Sequence, residues 1–274
     1  MGNMTVAVLG TGKMGAAAAR RLARQGFATT LWNRTRARAE AVGAGEVRDT
    51  PREAAGQAEV VISILTGPEA VRAVYAELEP SEAKVFLEMS TAGPDVHEEL
   101  GKRFSTLVAA PVIAPPSRLE AGEALLLAGG DEAVAERARP VFEALGKVRY
   151  VGSYRRAGAM KLMNNTMLAV TIAAAAELVE AGVRTGLTPA ESFEWMRNHA
   201  PYLDTRSSAY LGGPYEPLTF ALRDIVKDVD LALRLLDGPD FPMPIVEAVR
   251  QAFAEVMDEH GDKELTAVLE RYRR

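Results

Sequence analysis

The sequence predicts an α/β protein: a doubly wound, mostly parallel sheet, followed by an all-α C-terminal domain and joined to it by one long helix. Apolar, β-branched runs such as Thr5–Leu9 alternate with helical segments as far as about residue 154, and such alternation is typical of parallel sheets covered on both faces. A glycine-rich turn follows the first run, and beyond residue 155 only helical patterns remain. We therefore predict two domains, residues 1–154 and 155–274.

The elements of the first domain are predicted from apolar runs bounded by turn residues. Strands are predicted at Thr5–Leu9, Ala28–Trp32, Val47, Glu59–Leu65, Lys84–Glu88, Leu107–Ala110, Ala124–Ala128 and Val148–Val151. Helices are predicted from the glycine turn to Gly26 and at Pro51–Gly56, Glu69–Leu78, Val96–Arg103 and Glu132–Leu145.

The second domain is predicted to be helical throughout, apart from one irregular segment. Its helices are predicted at Arg156–Val183, Pro189–His199, Phe220–Leu236, Pro244–His260 and Lys263–Arg273. The segment His199–Pro217 is interpreted either as a loop near a pocket or as a surface turn.

The long helix has no charged residue between Lys161 and Glu177. The stretch between these two residues is too short and, with Asn164 and Asn165, too polar for a membrane span, and a helix that is apolar on nearly every side is normally enclosed by protein. Burying Lys161 there costs free energy unless something compensates. Asn165 lies one turn further along the same face. The alternative is a surface lysine whose stem lies along the helix end.

Composition argues against several classes of partner. The chain has 274 residues, a net charge of −5 and no basic run, so no nucleic-acid partner is expected. It has no cysteine, hence no disulfide framework and no thiolate chemistry. The apolar run Met4–Leu9 ends in glycines and lacks the pattern of a signal peptide. We expect a cytoplasmic protein that does not associate with membranes.

The turn Gly10-Thr11-Gly12-Lys13-Met14-Gly15 has the spacing of a dinucleotide-binding fingerprint between a strand and a helix. In that fingerprint Gly10 permits the tight turn, Gly12 lets the backbone approach a pyrophosphate, and Gly15 lets the helix pack on the strand. The helix N-terminus then offers N–H groups to phosphate. A purely structural glycine turn is the alternative.

The second strand ends in Asn33-Arg34-Thr35, where an NAD-specific site usually has an acidic residue for the ribose hydroxyl. An acid would repel a 2′-phosphate, whereas an arginine pairs with it. We therefore predict NADP (NADPH) in preference to NAD. The alternative is that Arg34 is only a solvated loop residue.

Two later strands also end in candidate ligand-binding residues. Ligands of such sheets bind beyond the carboxyl ends of the strands, where Leu65 and Thr66 follow one strand and Ser90 and Thr91 follow another. Hydroxyl residues are equally common in ordinary turns, so both interpretations stay open.

A series of motifs makes the sequence resemble the β-hydroxyacid dehydrogenase family. They are the glycine turn at the start, Ser90-Thr91, Ala110-Pro111-Val112, Lys161 with Asn165, and Ile225-Val226-Lys227-Asp228. This family includes 3-hydroxyisobutyrate dehydrogenase and tartronate semialdehyde reductase, and is related to 6-phosphogluconate dehydrogenase. The resemblance covers nearly the whole chain. It implies a Rossmann domain joined through one long helix to a helical domain, assembled as a homodimer or homotetramer.

The resemblance also implies roles for individual residues. Lys161 is implied as the catalytic residue with Asn165 beside it, Thr91 and Lys227 near the cofactor, and Ser90, Val112, Ile113 and Asn164 at a small-molecule substrate. Hydride transfer to a carbonyl leaves an alkoxide, and a positioned ammonium supplies its proton. Burial lowers the pKa of a lysine and draws it toward the neutral form. Asn165 either accepts a hydrogen bond from Lys161 or binds the substrate.

One segment departs from the family pattern. Many members continue Ala-Pro-Val with Ser-Gly-Gly, whereas this chain has Val112-Ile113-Ala114-Pro115-Pro116, and proline removes an N–H donor. The related imine reductases also lack the Gly pair, but they generally replace the lysine. Three hypotheses follow: an NADP-dependent β-hydroxyacid dehydrogenase, which we favour; a reductase of an imine or a non-acid carbonyl; and a non-catalytic dinucleotide sensor, which would need no proton donor.

The apolar helix segment Met163–Ala176 needs more cover than five helices readily give, which predicts self-association. His97, His199 and His260 are scattered and show no ligand spacing. We interpret them as surface or packing residues and predict no metal site.

Overall fold

The computed structural model describes residues 4–236 and 241–273. It divides into two compact units, of which the first ends at Lys161 and the second begins at Leu162. The first unit holds the sheet and the second is helical, so the predicted fold class is confirmed. The division falls inside the long helix, because Ala157 near the helix start packs with Ala109 and Leu127 of the first unit.

Within the described residues, nine strands form one sheet. They are β1 Thr5–Leu9, β2 Ala28–Trp32, β3 Glu46–Val47, β4 Val60–Ser63, β5 Val85–Glu88, β6 Leu107–Ala109, β7 Val112–Ile113, β8 Ala124–Gly130 and β9 Gly146–Gly152. The order is β3-β2-β1-β4-β5-β6-β8-β7, with β9 also paired to β8. The first six are mutually parallel and follow the 3-2-1-4-5-6 order of dinucleotide-binding sheets. Their carboxyl ends therefore meet at one edge.

The central strands are buried on both faces, and the two-residue period of the strand divides their side chains between two cores. In β1, Val6 and Val8 join one cluster, and Ala7 and Leu9 join the other. The first cluster continues with Ile62, Leu87 and Phe142, and the second with Val61, Phe86 and Phe104. This is the reason why apolar runs, rather than alternating patterns, marked the strands correctly.

The helices of the first unit differ from the prediction at three places. They are α1 Lys13–Arg24, α2 Arg36–Glu40, α3 Pro51–Ala55, α4 Pro68–Ala76, α5 Pro94–Gly101, α6 Pro116–Ala121, α7 Glu132–Arg137 and α8 Arg139–Leu145. The short α2 and α6 were not predicted, and the single helix predicted at Glu132–Leu145 is two helices. Pro140 follows the break, because proline cannot continue the hydrogen bonds of a helix. The short strand β7 was also missed, and β4 ends at Ser63 rather than Leu65.

The long helix, α9, runs from Tyr154 to Arg184. Buried residues such as Ile172 and Val179 line one side of it. On another side lies an exposed stripe, which consists of Met163, Met167, Ala174 and Leu178, with Met163 58%, Met167 64% and Leu178 52% exposed. The chain alone therefore leaves one apolar side of this helix uncovered.

By length and composition, α9 could cross a membrane, although the core helix of a soluble protein passes the same test.

The second unit contains five further α-helices and two 3₁₀ helices among the described residues. They are α10 Pro189–His199, α11 Ser207–Tyr210, α12 Leu222–Leu236, α13 Pro244–Ala254 and α14 Met257–His260, with 3₁₀ helices at Pro201–Arg206 and Leu265–Arg271. The predicted loop His199–Pro217 is thus largely helical, and the helix predicted at Lys263–Arg273 has 3₁₀ geometry. Buried Glu264 accepts the backbone N–H groups of Thr219 and Phe220 and so fixes that last segment.

Candidate functional site

The glycine turn between β1 and α1 requires glycine at two positions for different reasons. Gly10 has φ +93°, and a Cβ there would lie 2.3 Å from the Ile64 carbonyl oxygen. A Cβ on Gly15 would lie 1.8 Å from the Gly10 carbonyl oxygen. Gly15 therefore does serve close packing, as expected, but the atoms nearest to it belong to the backbone of the turn, and the strand lies further away.

Gly12 differs, because a Cβ there would meet no atom within 4 Å. It is the N-cap of α1, has no side-chain cap, and no acid occupies the first turn. The space beside Gly12 is therefore open, and the helix end next to it carries a positive dipole, which fits the phosphates of a dinucleotide. Thr11 is 5% exposed, and its buried hydroxyl has no hydrogen-bond partner within the described residues. Lys13 and Met14 begin the helix.

Asn33 links this turn to the end of β2. Its side-chain oxygen accepts the Thr11 N–H at 3.1 Å, and its amide donates to the Thr35 carbonyl at 3.0 Å. Both ends of the Asn33 amide are thus occupied by backbone. Arg34 is exposed and makes no hydrogen bond or ion pair with the part of the chain that the structure describes. Asn33 therefore shapes the turn, and Arg34 is the group available to a ligand.

The loops after β4 and β5 are tied together through Ser90. The Ser90 hydroxyl oxygen accepts the Leu65 N–H at 2.8 Å, and the Ser90 N–H donates to the Glu88 carboxylate at 3.0 Å. Ser90 is buried, Leu65 and Thr91 are half-buried, and Thr66 is exposed. Since β4 and β5 are adjacent parallel strands, these predicted residues share the edge that carries the glycine turn.

Lys161 lies in the first unit together with the segment that departs from the family pattern. Its half-buried ammonium donates to the Val112 carbonyl oxygen in β7 at 2.8 Å. This hydrogen bond to a backbone oxygen fixes the rotamer of the lysine side chain. Ile113 ends β7, and Pro115 is the N-cap of α6 with Pro116 at its first position. Proline is well suited to that position because its missing N–H would have no helical partner.

In the second unit, Asp228 connects three other predicted or neighbouring residues. Its carboxylate accepts the Asn165 amide at 2.5 Å and pairs with the Lys227 ammonium. Asn165 in turn accepts the Asn164 amide at 3.1 Å. Asp228 and Asn165 are 1% and 3% exposed. A buried carboxylate with donors on both oxygens is a satisfied one, so this network holds the Asn165 amide in one orientation.

Sequence reasoning gave no site role to Glu88 or His97, and it named Asp228 only as part of a motif. Of the two interpretations of His97, packing is the correct one: it is 1% exposed, and its Nε2 lies 2.6 Å from the carboxylate of fully buried Glu88. Helical spacing could have found it, because His97 shares the buried face of α5 with Val96 and Leu100. Asp228 likewise falls between buried Ile225 and Ala232 on α12.

The other two histidines remain packing or surface residues, His199 exposed and His260 half-buried. Residues 4–236 and 241–273 contain no group of three or more His, Asp or Glu side chains placed to hold a metal ion.

Comparison with known families accounts for both units. A sequence model of the NAD binding domain of 6-phosphogluconate dehydrogenase matches residues 5–153, more than half of the chain. The chain belongs to the β-hydroxyacid dehydrogenase family. The model described as the NAD-binding region of NADP-dependent 3-hydroxyisobutyrate dehydrogenase matches residues 156–272 of this family member. It is accordingly an NAD(P)-dependent oxidoreductase.

Individual members of the β-hydroxyacid dehydrogenase family are similar over the full length. Glyoxylate/succinic semialdehyde reductase 1 of Arabidopsis thaliana is 29% identical over 97% of this chain and 98% of its own. The structure of a 3-hydroxyisobutyrate dehydrogenase from Mycobacterium tuberculosis, solved with L-serine, aligns over 99% of both chains with a TM-score of 0.83 and 25% identity. An imine reductase variant from Myxococcus stipitatus, solved with NAD⁺, also aligns over 99% of both chains, with a TM-score of 0.66 and 17% identity. That last likeness is one of fold alone.

Proposed function

We propose that the chain is an NADP-dependent enzyme that interconverts a small β-hydroxyacid of the 3-hydroxyisobutyrate type and its aldehyde or keto acid. The observation that carries the proposal is the half-buried Lys161 ammonium, held by the Val112 carbonyl oxygen at 2.8 Å. An ammonium carries three donor N–H groups. The bond to the Val112 carbonyl fixes the side chain, and an ammonium held in place in this way has the proton that a general acid must give.

The chemistry divides between cofactor and protein. When bound, the nicotinamide supplies a hydride to the substrate carbonyl or accepts one from the alcohol. In reduction, Lys161 donates an Nζ proton to the alkoxide oxygen; in oxidation, neutral Lys161 takes the hydroxyl proton back. Asn165 binds the substrate through an amide that Asp228 orients. Ser90 binds the acid end of the substrate, because its oxygen accepts the Leu65 N–H while its own proton remains to be donated.

The role of Lys161 is tested with Lys161→Ala. We expect kcat to fall by about 100-fold to 10,000-fold, the usual contribution of general acid–base catalysis, while the Kd for NADPH stays within about threefold of the wild type. The matched control is Lys102→Ala, which removes an exposed lysine from the same unit. Near-normal turnover of Lys161→Ala would refute the assignment.

The preference for NADP rests on Arg34. Its exposed guanidinium has no protein partner in the described residues, and Asn33 provides no acid for a ribose hydroxyl. We expect the KM for NADH to exceed that for NADPH. Arg34→Ala should raise the KM for NADPH by about 10-fold to 100-fold, as loss of a charge-assisted hydrogen bond to phosphate does, and leave NADH unaffected. The control Arg118→Ala removes an exposed arginine paired with Glu123. Equal KM values for both cofactors would disprove the preference.

The second candidate function is reduction of an imine or a non-acid carbonyl. It is favoured by the Pro115-Pro116 start of α6, where the Gly pair of many acid-binding relatives is replaced. The presence of Lys161 argues against this function, because the related imine reductases generally replace the lysine. A panel of small aldehyde-acids, cyclic imines and simple ketones with NADPH, followed at 340 nm, separates the two. Turnover confined to aldehyde-acids supports the first proposal, and turnover of imines supports the second.

Self-association as a homodimer or homotetramer belongs to the same proposal. The exposed stripe of α9 is apolar along its length, and contiguous apolar surface of that kind marks association sites. Light scattering of Met163→Glu/Met167→Glu should show a smaller particle than the wild type. A monomeric wild-type protein at micromolar concentration would contradict the idea.

We further propose a cytoplasmic location, with no membrane or nucleic-acid partner, and domain assignments of 1–154 to the cofactor and 155–274 to the substrate and subunit contacts. The polar residues in the middle of α9, Asn164 and Asn165, and the core of buried residues on one of its sides support a soluble helix rather than a membrane-spanning one.

A further inference from the structure

A pair of buried titratable residues, Glu88 and His97, lies directly behind the loop that carries Ser90 and Thr91. Glu88 ends β5 with no exposed surface, and His97 on α5 is 1% exposed. His97 Nε2 lies 2.6 Å from one Glu88 carboxylate oxygen. Burying a carboxylate costs free energy unless hydrogen-bond donors satisfy it. The pair therefore serves either the stability of the fold alone or the functional site as well.

The other Glu88 oxygen points to the site. It accepts the Ser90 N–H at 3.0 Å, and the Ser90 hydroxyl accepts the Leu65 N–H at 2.8 Å. Hydrogen bonds therefore run without interruption from α5 through Glu88 and Ser90 to the loop after β4. Both loops at this edge of the sheet depend on the position of one carboxylate.

Few other groups act on the pair. Tyr75 on α4 reaches the Ser63 hydroxyl at 3.1 Å, and burial, followed by the Glu88 charge, raises the pKa of Tyr75, which keeps the phenol neutral. Tyr154 on α9 lies with its ring 6.4 Å from that of His97, and burial raises its pKa as well. The charged residues of α5 and of the first turn of α9, Asp95, Glu98, Glu99, Arg155 and Arg156, are exposed, as are Glu69 and Arg72 on α4. Within the described residues, His97 is the only side chain bonded to Glu88.

The second nitrogen of His97 fixes the tautomer. Nδ1 is buried and has no hydrogen-bond partner in the described part of the chain. A charged imidazolium would bury an unsatisfied N–H there, whereas the neutral ring with its proton on Nε2 leaves only a lone pair unmatched. Neutral His97 thus donates to anionic Glu88.

We infer that Glu88 and His97 are positioning residues: His97 holds the Glu88 carboxylate as an acceptor, and the carboxylate holds the Ser90–Thr91 loop in the conformation that binds cofactor and substrate. The inference rests on the proposed function, which places Ser90, Thr91 and Leu65 in the site.

The test measures the Kd for NADPH by calorimetry, which needs no substrate. His97→Leu leaves the carboxylate with a single backbone donor. We expect about tenfold weaker binding than in the wild type, because the carboxylate loses the donor that holds it in place and no longer anchors the Ser90–Thr91 loop. In His97→Gln the side-chain amide donates to the same oxygen, and binding should return to within about threefold of the wild type.

The control is Glu99→Gln, which removes an exposed pair with Arg72 between the same two helices and should change nothing. Urea midpoints of all variants separate loss of folding from loss of binding. A lower midpoint for His97→Leu with a wild-type Kd would show that the pair is merely structural and overturn the inference. Absence of turnover with every substrate of the panel would refute the proposed function instead. The Kd values for NADPH, which are measured without substrate, would still test the positioning role.

Discussion

Asp228→Asn is the most discriminating change in the second unit. The carboxylate accepts the Asn165 amide on one oxygen and pairs with Lys227 on the other. An asparagine has one oxygen, so one of these donors would face an NH₂ group instead. The site is 1% exposed, which excludes water as a substitute partner.

The expected cost follows from the two contacts. Leaving one buried donor unsatisfied costs about 1–3 kcal/mol, and loss of the ion pair with Lys227, whose side chain is 26% exposed, adds about 1 kcal/mol. We therefore expect the free energy of unfolding to fall by about 2–4 kcal/mol. If Asn165 binds substrate as proposed, kcat falls as well, since its amide loses the group that orients it.

Urea unfolding followed by far-UV circular dichroism measures the stability, and hydrogen exchange in residues 222–236 localises the loss to α12. The matched control is Asp230→Asn on the same helix, which removes a pair with Arg250 at 2.9 Å. That pair is partly exposed and contributes about 0.2–1 kcal/mol. Equal unfolding midpoints for the two variants, with unchanged exchange in α12, would refute the reasoning.

Three further changes test the first unit. Gly15→Ala places a methyl group 1.8 Å from the Gly10 carbonyl oxygen and should lower the free energy of unfolding by about 3 kcal/mol. In Gly12→Ala the methyl group meets no atom within 4 Å, so this variant should fold normally but lose NADPH affinity. Equal behaviour of the two variants in urea unfolding and calorimetry would contradict this contrast. Hydrogen bonds from two arginines of α1 lower the pKa of Glu120, so its stabilisation is present above the unfolded-state pKa and is lost as pH falls through the folded-state value. Glu120→Gln should therefore unfold about 0.5–1 kcal/mol more easily at pH 7 and no more easily than the wild type near pH 3; a difference that persists at pH 3 would contradict the assignment.

Much of the fold could be predicted because the signals are local. The run Thr5–Leu9 is apolar at every position, and its side chains do enter two cores. The missed helix α6 has a different origin. Pro115 and Pro116 were interpreted as loop residues that lack an N–H donor, although the lack of this N–H also suits proline to the first turn of a helix.

The site could be predicted only in part. Candidate residues at strand ends, such as Ser90 and Thr91, could be placed together because parallel strands bring their carboxyl ends to one edge of the sheet. The partners of Glu88 and Asn165 were not found, because His97 and Asp228 come from other elements and their contacts depend on how helices pack. The burial of His97 and Asp228 could have been inferred from helical spacing, but their hydrogen bonds to Glu88 and Asn165 could not.

The Asn33 cross-link constrains any redesign of cofactor choice. Its single amide group joins the glycine turn to the backbone of Thr35, so an acid introduced at position 33 to recruit NADH would also bring a carboxylate against the Thr35 carbonyl and disturb the glycine turn. Engineers who wish to exchange one nicotinamide coenzyme for the other should therefore leave residue 33 unchanged and vary Arg34 and Thr35, whose side chains can be altered without loosening the turn.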